Sequence, residues 1–154
     1  GAASADHLEF ASDDGLEAMA RAGTCGVLLP AATFFLRMDR RPPGRRLVEA
    51  GIPVVVATDF NPGSCPTESM QAAMWFATLW GGLTVDEAIT ASTLNAAHSL
   101  GLAGEIGTLE PGKRADLVIH AVPNRYHLVY RFGVPRARTV VAGGRVVVED
   151  GQRV

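Results

Sequence analysis

The chain has 154 residues, enough for one core of ordinary domain size, and 47% of them are hydrophobic. Its formal charge of −2 leaves no large basic face, which argues against nucleic acid or an anionic membrane surface as a partner. No run of ~20 apolar residues occurs, so no transmembrane helix is expected.

The first two-thirds read as strand and helix in alternation. A short strand is expected around Ala5 to Leu8, carrying His7 at its end. It begins almost at Gly1, without a cap or lead-in, so the expectation is a chain truncated upstream. The same residues lack the basic start and apolar block of a signal peptide. Ser12 suits the cap of a helix with Leu16, Met19 and Ala20 on its apolar face, closed by Gly23. Cys25 to Leu29 is the next apolar strand, stopped by Pro30, and a longer loop is expected to carry Phe34, Phe35 and Leu36. Arg40, Arg41, Arg45 and Arg46 surround Pro42-Pro43-Gly44 and read as a solvated loop and helix start rather than an anion site. A short helix around Leu47 to Ala50 ends at Gly51, and a strand from Pro53 to Thr58 follows. This β-α-β-α-β order, with right-handed crossovers, implies parallel strands.

The chain then continues as a helix from about Glu68 to Trp80, with Met70, Ala73, Met74, Ala77 and Trp80 on one core-packing stripe, stopped by Gly81-Gly82. Thr84-Val85-Asp86-Glu87 has the capping-box spacing and opens another helix. Helical character resumes from Thr93 to Leu100 and ends at Gly101. Past Gly104 the pattern shifts to short β segments at Ala115 to His120, Thr139 to Ala142 and Arg145 to Glu149, with Gly143-Gly144 as a hairpin signal between the last two. A boundary between Leu102 and Ile106 divides the chain into regions 1–103 and 104–154.

The most informative segment is Val54-Val55-Val56-Ala57-Thr58-Asp59-Phe60-Asn61-Pro62-Gly63-Ser64. An apolar run without polar alternation suits a strand buried on both faces. Ligands of parallel α/β sheets bind at the carboxyl ends of the strands, where Asp59 falls. Spacing alone leaves two readings open for Asp59, a metal ligand that also carries a proton or a turn-forming Asp. His7 is open in the same way, between a site residue and a structural histidine. Asn61, Gly63 and Ser64 either cradle a ligand or only shape the turn. Glu9 reads as a structural residue of the following loop. His98 reads as helix surface or interface, and His120 as the end of a tail strand remote from the site. Cys25 is expected in the core and Cys65, in the turn, partly exposed. Neither has metal-type spacing and nothing demands a disulfide, which fits a reducing, cytoplasmic setting.

Several of these pieces together resemble the imidazolonepropionase family, metal-dependent members of the amidohydrolase superfamily. Thr58-Asp59-Phe60-Asn61-Pro62-Gly63-Ser64, Asp6-His7-Leu8-Glu9, and Val27-Leu28-Leu29-Pro30 followed by Phe34-Phe35-Leu36-Arg37 are similar to family stretches in the same order. Gly107 to Val118 resembles a tail shared by many amidohydrolases. The family often has His-Phe-Gly where this chain has Arg131-Phe132-Gly133, which puts in doubt any ligand role at 131.

The resemblance implies an α/β fold. Strands six to eight of a TIM-like (β/α)8 metal-dependent hydrolase barrel would be followed by the C-terminal strands of a small β-sandwich domain. It also implies a function in histidine degradation, hydrolysis of 4-imidazolone-5-propanoate to N-formimidoyl-L-glutamate. One Zn2+ or Fe2+ ion would be the cofactor, with Asp59 as metal ligand and proton carrier and His7 polarising the attacked carbonyl. Asn61, Gly63 and Ser64 would be the substrate-binding turn. The partners implied are a small-molecule substrate, the N-terminal half of the barrel, and a second copy in a homodimer. The family's His-x-His pair and its upstream His followed three residues later by Glu have no counterpart here, so this chain alone is not expected to hold the metal or turn over substrate. Two alternatives stand beside this reading: another amidohydrolase, such as a cyclic amide hydrolase or nucleobase deaminase, or a non-catalytic assembly module.

Overall fold

A computed structural model describes residues 1–154. Local signals set most helix ends. Ser12 accepts a bond from the Gly15 N–H and opens α1 (Asp13–Ala22), and Gly23, at φ 68°, closes it. Ser69 caps α4 (Met70–Leu79), so that helix begins two residues later than the expected start near Glu68, at the first residue of its apolar stripe. Thr84 and Glu87 form the reciprocal capping box of α5 (Val85–Ser92). α6 (Leu94–Ser99) follows, with Gly101 beyond it at φ 71°.

The segment expected as a loop after Pro30 is a helix. Pro30 ends the strand but also occupies the first helical position of α2 (Pro30–Phe35), where its missing N–H costs nothing. Phe34 and Phe35 therefore ride on a helix. α3 (Gly44–Glu49) also starts earlier than expected. The nearby arginines are not simply solvated. Arg45 pairs with Glu87 and reaches the Gly82 carbonyl at 2.9 and 3.1 Å, while Arg46 meets Asp13 at 2.6 Å. α3 is thus tied to α5 and α1.

Strands β1 (Ser4–Asp6), β2 (Cys25–Leu28) and β3 (Val54–Val56) form a parallel sheet in sequence order, with Ala5 opposite Gly26 and Gly26 opposite Val54. Successive side chains point to opposite faces, and both faces are covered. Leu28, Val54 and Val56 join Leu16, Leu47, Ala73, Ala77 and Ala88 in one cluster. Cys25, Val27 and Val55 join Ala32, Cys65 and Phe76 in the other. Gly26 sits where a Cβ would come within 2.9 Å of a Leu47 methyl, so a larger residue there would push the Leu47 and Leu8 side chains aside.

The tail is a separate antiparallel sheet of β4 (Leu117–His120), β5 (Ala137–Ala142), β6 (Arg145–Glu149) and β7 (Gln152–Arg153). Gly143 and Gly144, both at positive φ (56° and 78°), make the expected two-residue turn. β7 and the one-turn helix α7 (His127–Tyr130) were not anticipated. Gln71 joins the two regions: its side chain accepts from the Arg136 N–H at 3.1 Å and donates to the Leu128 carbonyl at 3.5 Å. No residue after Ala97 is buried. No helix is long and apolar enough to cross a membrane.

Candidate active site

The parallel register brings the ends of β1 and β3 to the same edge of the sheet, on either side of β2. Two strand spacings separate their backbones, about 10 Å. At the first end, the His7 N–H donates to the Val27 carbonyl at 2.9 Å, extending the ladder one residue past β1. The backbone then turns left-handed twice, at His7 (φ 69°) and Leu8 (φ 72°). Each such non-glycine residue costs about 1 kcal/mol or more. His7 ends up exposed, Leu8 packs against the first core cluster, and Glu9 is buried at 4% exposure. The Glu9 carboxylate accepts a 2.5 Å bond from the Thr33 hydroxyl of α2. Glu9, expected as a structural residue of the following loop, is an interior group bonded to α2. Thr33 was missed. Its only signal was a polar residue inside an apolar stretch.

At the second end, the Ala57 N–H continues the ladder to the Leu28 carbonyl at 3.1 Å. Asp59 follows at φ 54°, half-buried, a conformation Asp tolerates better than most residues. Asn61 organises the turn beyond it. Its Oδ1 accepts from the N–H groups of Gly63 (2.9 Å) and Ser64 (2.8 Å), and its Nδ2 donates to the Asp59 carbonyl (2.8 Å) and to Ser64 Oγ (2.9 Å). Asn61 and Cys65 also exchange backbone bonds at 3.0 and 3.3 Å. Asn61 is therefore committed to shaping the turn, and a ligand gains the Asn61 amide or the Ser64 hydroxyl only by exchange for bonds they make with each other. Gly63 is not at positive φ, and a Cβ there would meet only Asn61 Oδ1, at 3.5 Å. Nothing within the chain demands glycine at that place.

Cys65 is fully buried, against the expectation of partial exposure. Its thiol donates to the Thr58 carbonyl at 2.9 Å, fastening the turn under the end of β3. Burial raises the Cys65 thiol above its ordinary pKa, helped by the nearby Asp59 charge, and burial alone raises Cys25. Neither is a ready nucleophile. His98 and His127 are exposed or half-exposed on helices, away from these strand ends. His120 lines a cavity of about 550 Å3 between α5–α6 and the tail sheet, with Ile89, Ala96, Leu100 and Leu117.

A carboxylate and an imidazole are suitable donors for zinc or iron. A catalytic zinc needs about three protein ligands, and nowhere do three His, Cys, Asp or Glu side chains come together in this chain. Its own residues do not compose a complete metal site.

A parallel strand–helix run that offers polar side chains at the carboxyl ends of its strands is the design of (β/α) hydrolase barrels. Solved structures bear out that fold. An adenosine deaminase from Xanthomonas campestris, crystallised with bound zinc, matches with a TM-score of 0.88 at 21% identity, over 98% of this chain and 38% of that one. A guanine deaminase from E. coli matches with a TM-score of 0.74 at 23% identity, over 95% of this chain and 39% of that one. The amidohydrolase family model matches residues 5–147, and the chain belongs to that family. It is 54% identical to an imidazolonepropionase of Geobacillus kaustophilus over 99% of its own length and 36% of that protein. It is 50% identical to one of Shouchella clausii, over 98% of its own length and 34% of that protein. The chain thus spans about a third of the length of the curated relatives it matches.

Proposed function

We propose that the chain is the C-terminal portion of an imidazolonepropionase, a cytoplasmic enzyme of histidine degradation that opens the ring of 4-imidazolone-5-propanoate to N-formimidoyl-L-glutamate. The observation that carries this reading is Asp59 at the carboxyl end of β3, in a chain 54% identical along 99% of its length to an imidazolonepropionase. β1, β2 and β3 take the places of barrel strands six to eight. Residues 1–103 belong to the barrel, and residues 104–154 to a small composite β domain completed from upstream. Asp59 contributes one ligand of a Zn2+ or Fe2+ ion, and the other ligands come from the upstream half. Such an ion lowers the pKa of a bound water to near neutrality.

The chain's own residues then have defined work. The Asp59 carboxylate accepts the proton of the attacking water and returns it to the leaving ring nitrogen. The exposed His7 imidazole donates a hydrogen bond to the carbonyl oxygen as negative charge develops on it. Asn61, Gly63 and Ser64 hold the turn that seats the substrate. The complete enzyme is a homodimer in this reading.

The test is co-expression with the upstream portion of an imidazolonepropionase, followed by assay of ring opening and of bound metal. Activity is expected only with both parts, and Asp59→Asn, which keeps the left-handed backbone, lowers kcat by about 10^3-fold. Substantial activity in that variant would overturn the assignment.

A further inference from the structure

We propose that Glu9 and Thr33 form a buried clamp that positions His7, acting on the reaction through His7 rather than on the substrate. The inference rests on the role given to His7 in the proposed function.

A carboxylate is almost never fully buried without a partner. Glu9 is 4% exposed, and the partner it has found is the fully buried Thr33 hydroxyl at 2.5 Å. Thr33 Oγ1 also lies 3.2 Å from the Leu29 carbonyl, the usual back-bond within a helix. It has one proton to give, and the Glu9 carboxylate is the nearer of its two acceptors. The bond spans 24 residues and joins the segment after β1 to the helix after β2.

Between β1 and Glu9 lie two consecutive left-handed residues, His7 and Leu8, neither of them Gly, Asn or Asp. Such a backbone persists only where its surroundings over-determine it. Here it is held on both sides. The His7 N–H on the Val27 carbonyl fixes the entry, and Glu9 on Thr33 fixes the exit. The exposed imidazole is carried on the turn between these two holds. Glu9, interior and facing Thr33, supplies geometry. That role needs an acceptor for the Thr33 proton and does not need a charge, so Gln serves in place of Glu, and Ser in place of Thr.

The experiment compares Glu9→Ala, Glu9→Gln, Thr33→Val, Thr33→Ser and the double variant Glu9→Ala/Thr33→Val. Two readouts are taken. In the complemented enzyme, Glu9→Ala and Thr33→Val are expected to lower kcat about 10- to 100-fold with KM little changed, as for a misplaced catalytic group. The double variant is expected to be no worse than the weaker single, because the pair acts as one unit. Glu9→Gln and Thr33→Ser stay close to the parent. In the 154-residue chain by itself, hydrogen exchange of the His7 amide rises about tenfold in Glu9→Ala and Thr33→Val, while β5 amides are unaffected. Should Glu9→Ala not fold, Thr33→Val, which keeps the side-chain shape, carries the same comparison.

Unchanged His7 exchange in Thr33→Val would overturn the clamp. So would a Glu9→Gln variant with normal exchange and the kcat of Glu9→Ala, since Glu9 would then be transferring a proton itself. If the parent enzyme fails to open imidazolonepropanoate, the proposed function falls while the exchange measurement still decides the clamp.

Discussion

β3 of the parallel sheet and β4 to β6 of the tail sheet are similarly rich in β-branched residues, yet they stand in different surroundings. Val54, Val55 and Val56 are 2–5% exposed, enclosed between two apolar clusters. Val118, Ile119 and Val146 are 43–49% exposed, on a sheet with only partial cover. A strand's composition makes it able to be buried, and a second layer decides whether it is. The barrel segment brings its own second layer in α1 and α3 to α5. The tail has a cavity against α5–α6, the two Gln71 bonds from α4 and the packing of Phe132 on Trp75. In the proposed composite domain, upstream residues complete that cover.

This contrast has a direct test in stability. Leu47→Ala, at a fully buried position of the first cluster, is expected to cost about 2–5 kcal/mol. Val146→Ala, half-exposed on β6, is expected to cost less than about 1 kcal/mol. Urea unfolding followed by fluorescence measures the first cleanly, because both tryptophans, Trp75 and Trp80, lie on or at the end of α4. Equal costs would erase the distinction between the two regions.

A smaller effect separates the regions by pH. His120 Nδ1 is buried without a hydrogen-bond partner, and burial lowers the pKa of the imidazole below 6.5. The folded tail therefore favours neutral His120, and the unfolded chain takes up the proton more readily. Its stability is fully present above pH 6.5 and is lost as pH falls from there through the lower folded pKa. His120→Leu flattens that part of the profile, as measured by the exchange of β4 and β5 amides. An unchanged slope would mean that His120 is solvated. The carboxylates of Asp86 and Glu87, held low mainly by Arg125 and Arg45, act only at more acidic pH, below about 4.5.

The smallest expected change in stability is at Gly63. Ala fits there without clash or positive φ, so Gly63→Ala shifts unfolding by less than about 1 kcal/mol, in the stabilising direction. A fall in activity of the complemented enzyme with stability preserved would identify position 63 as a point of ligand approach. Full activity would leave it as turn filler.

The features legible in the sequence were short-range ones. Ser12 and Gly23 act within one helical turn, as do Thr84 and Glu87, and Gly143-Gly144 is a self-contained hairpin. The β-α-β-α-β order followed from apolar runs that need no distant partner to be recognised. Pro30 misled because one residue has two local meanings, strand stop and helix start, and the choice between them depends on what α2 packs against. Cys65 misled because turn chemistry suggests exposure, whereas its burial comes from Cys25, Val55 and Phe76, which lie elsewhere in the chain.

The sequence by itself therefore determined the family, the order of the elements, their caps, and Asp59 at a strand end, because each is read from short local stretches and their order along the chain. Only the tertiary structure decided that Arg45 would pair with Glu87 over 42 positions and that Glu9 would lie buried against Thr33 over 24. It also decided that His7 and Leu8 would hold a left-handed turn. Those outcomes depend on which groups lose water together. A buried polar group must find its partner in space, and strained backbone survives only where packing on both sides leaves it no alternative.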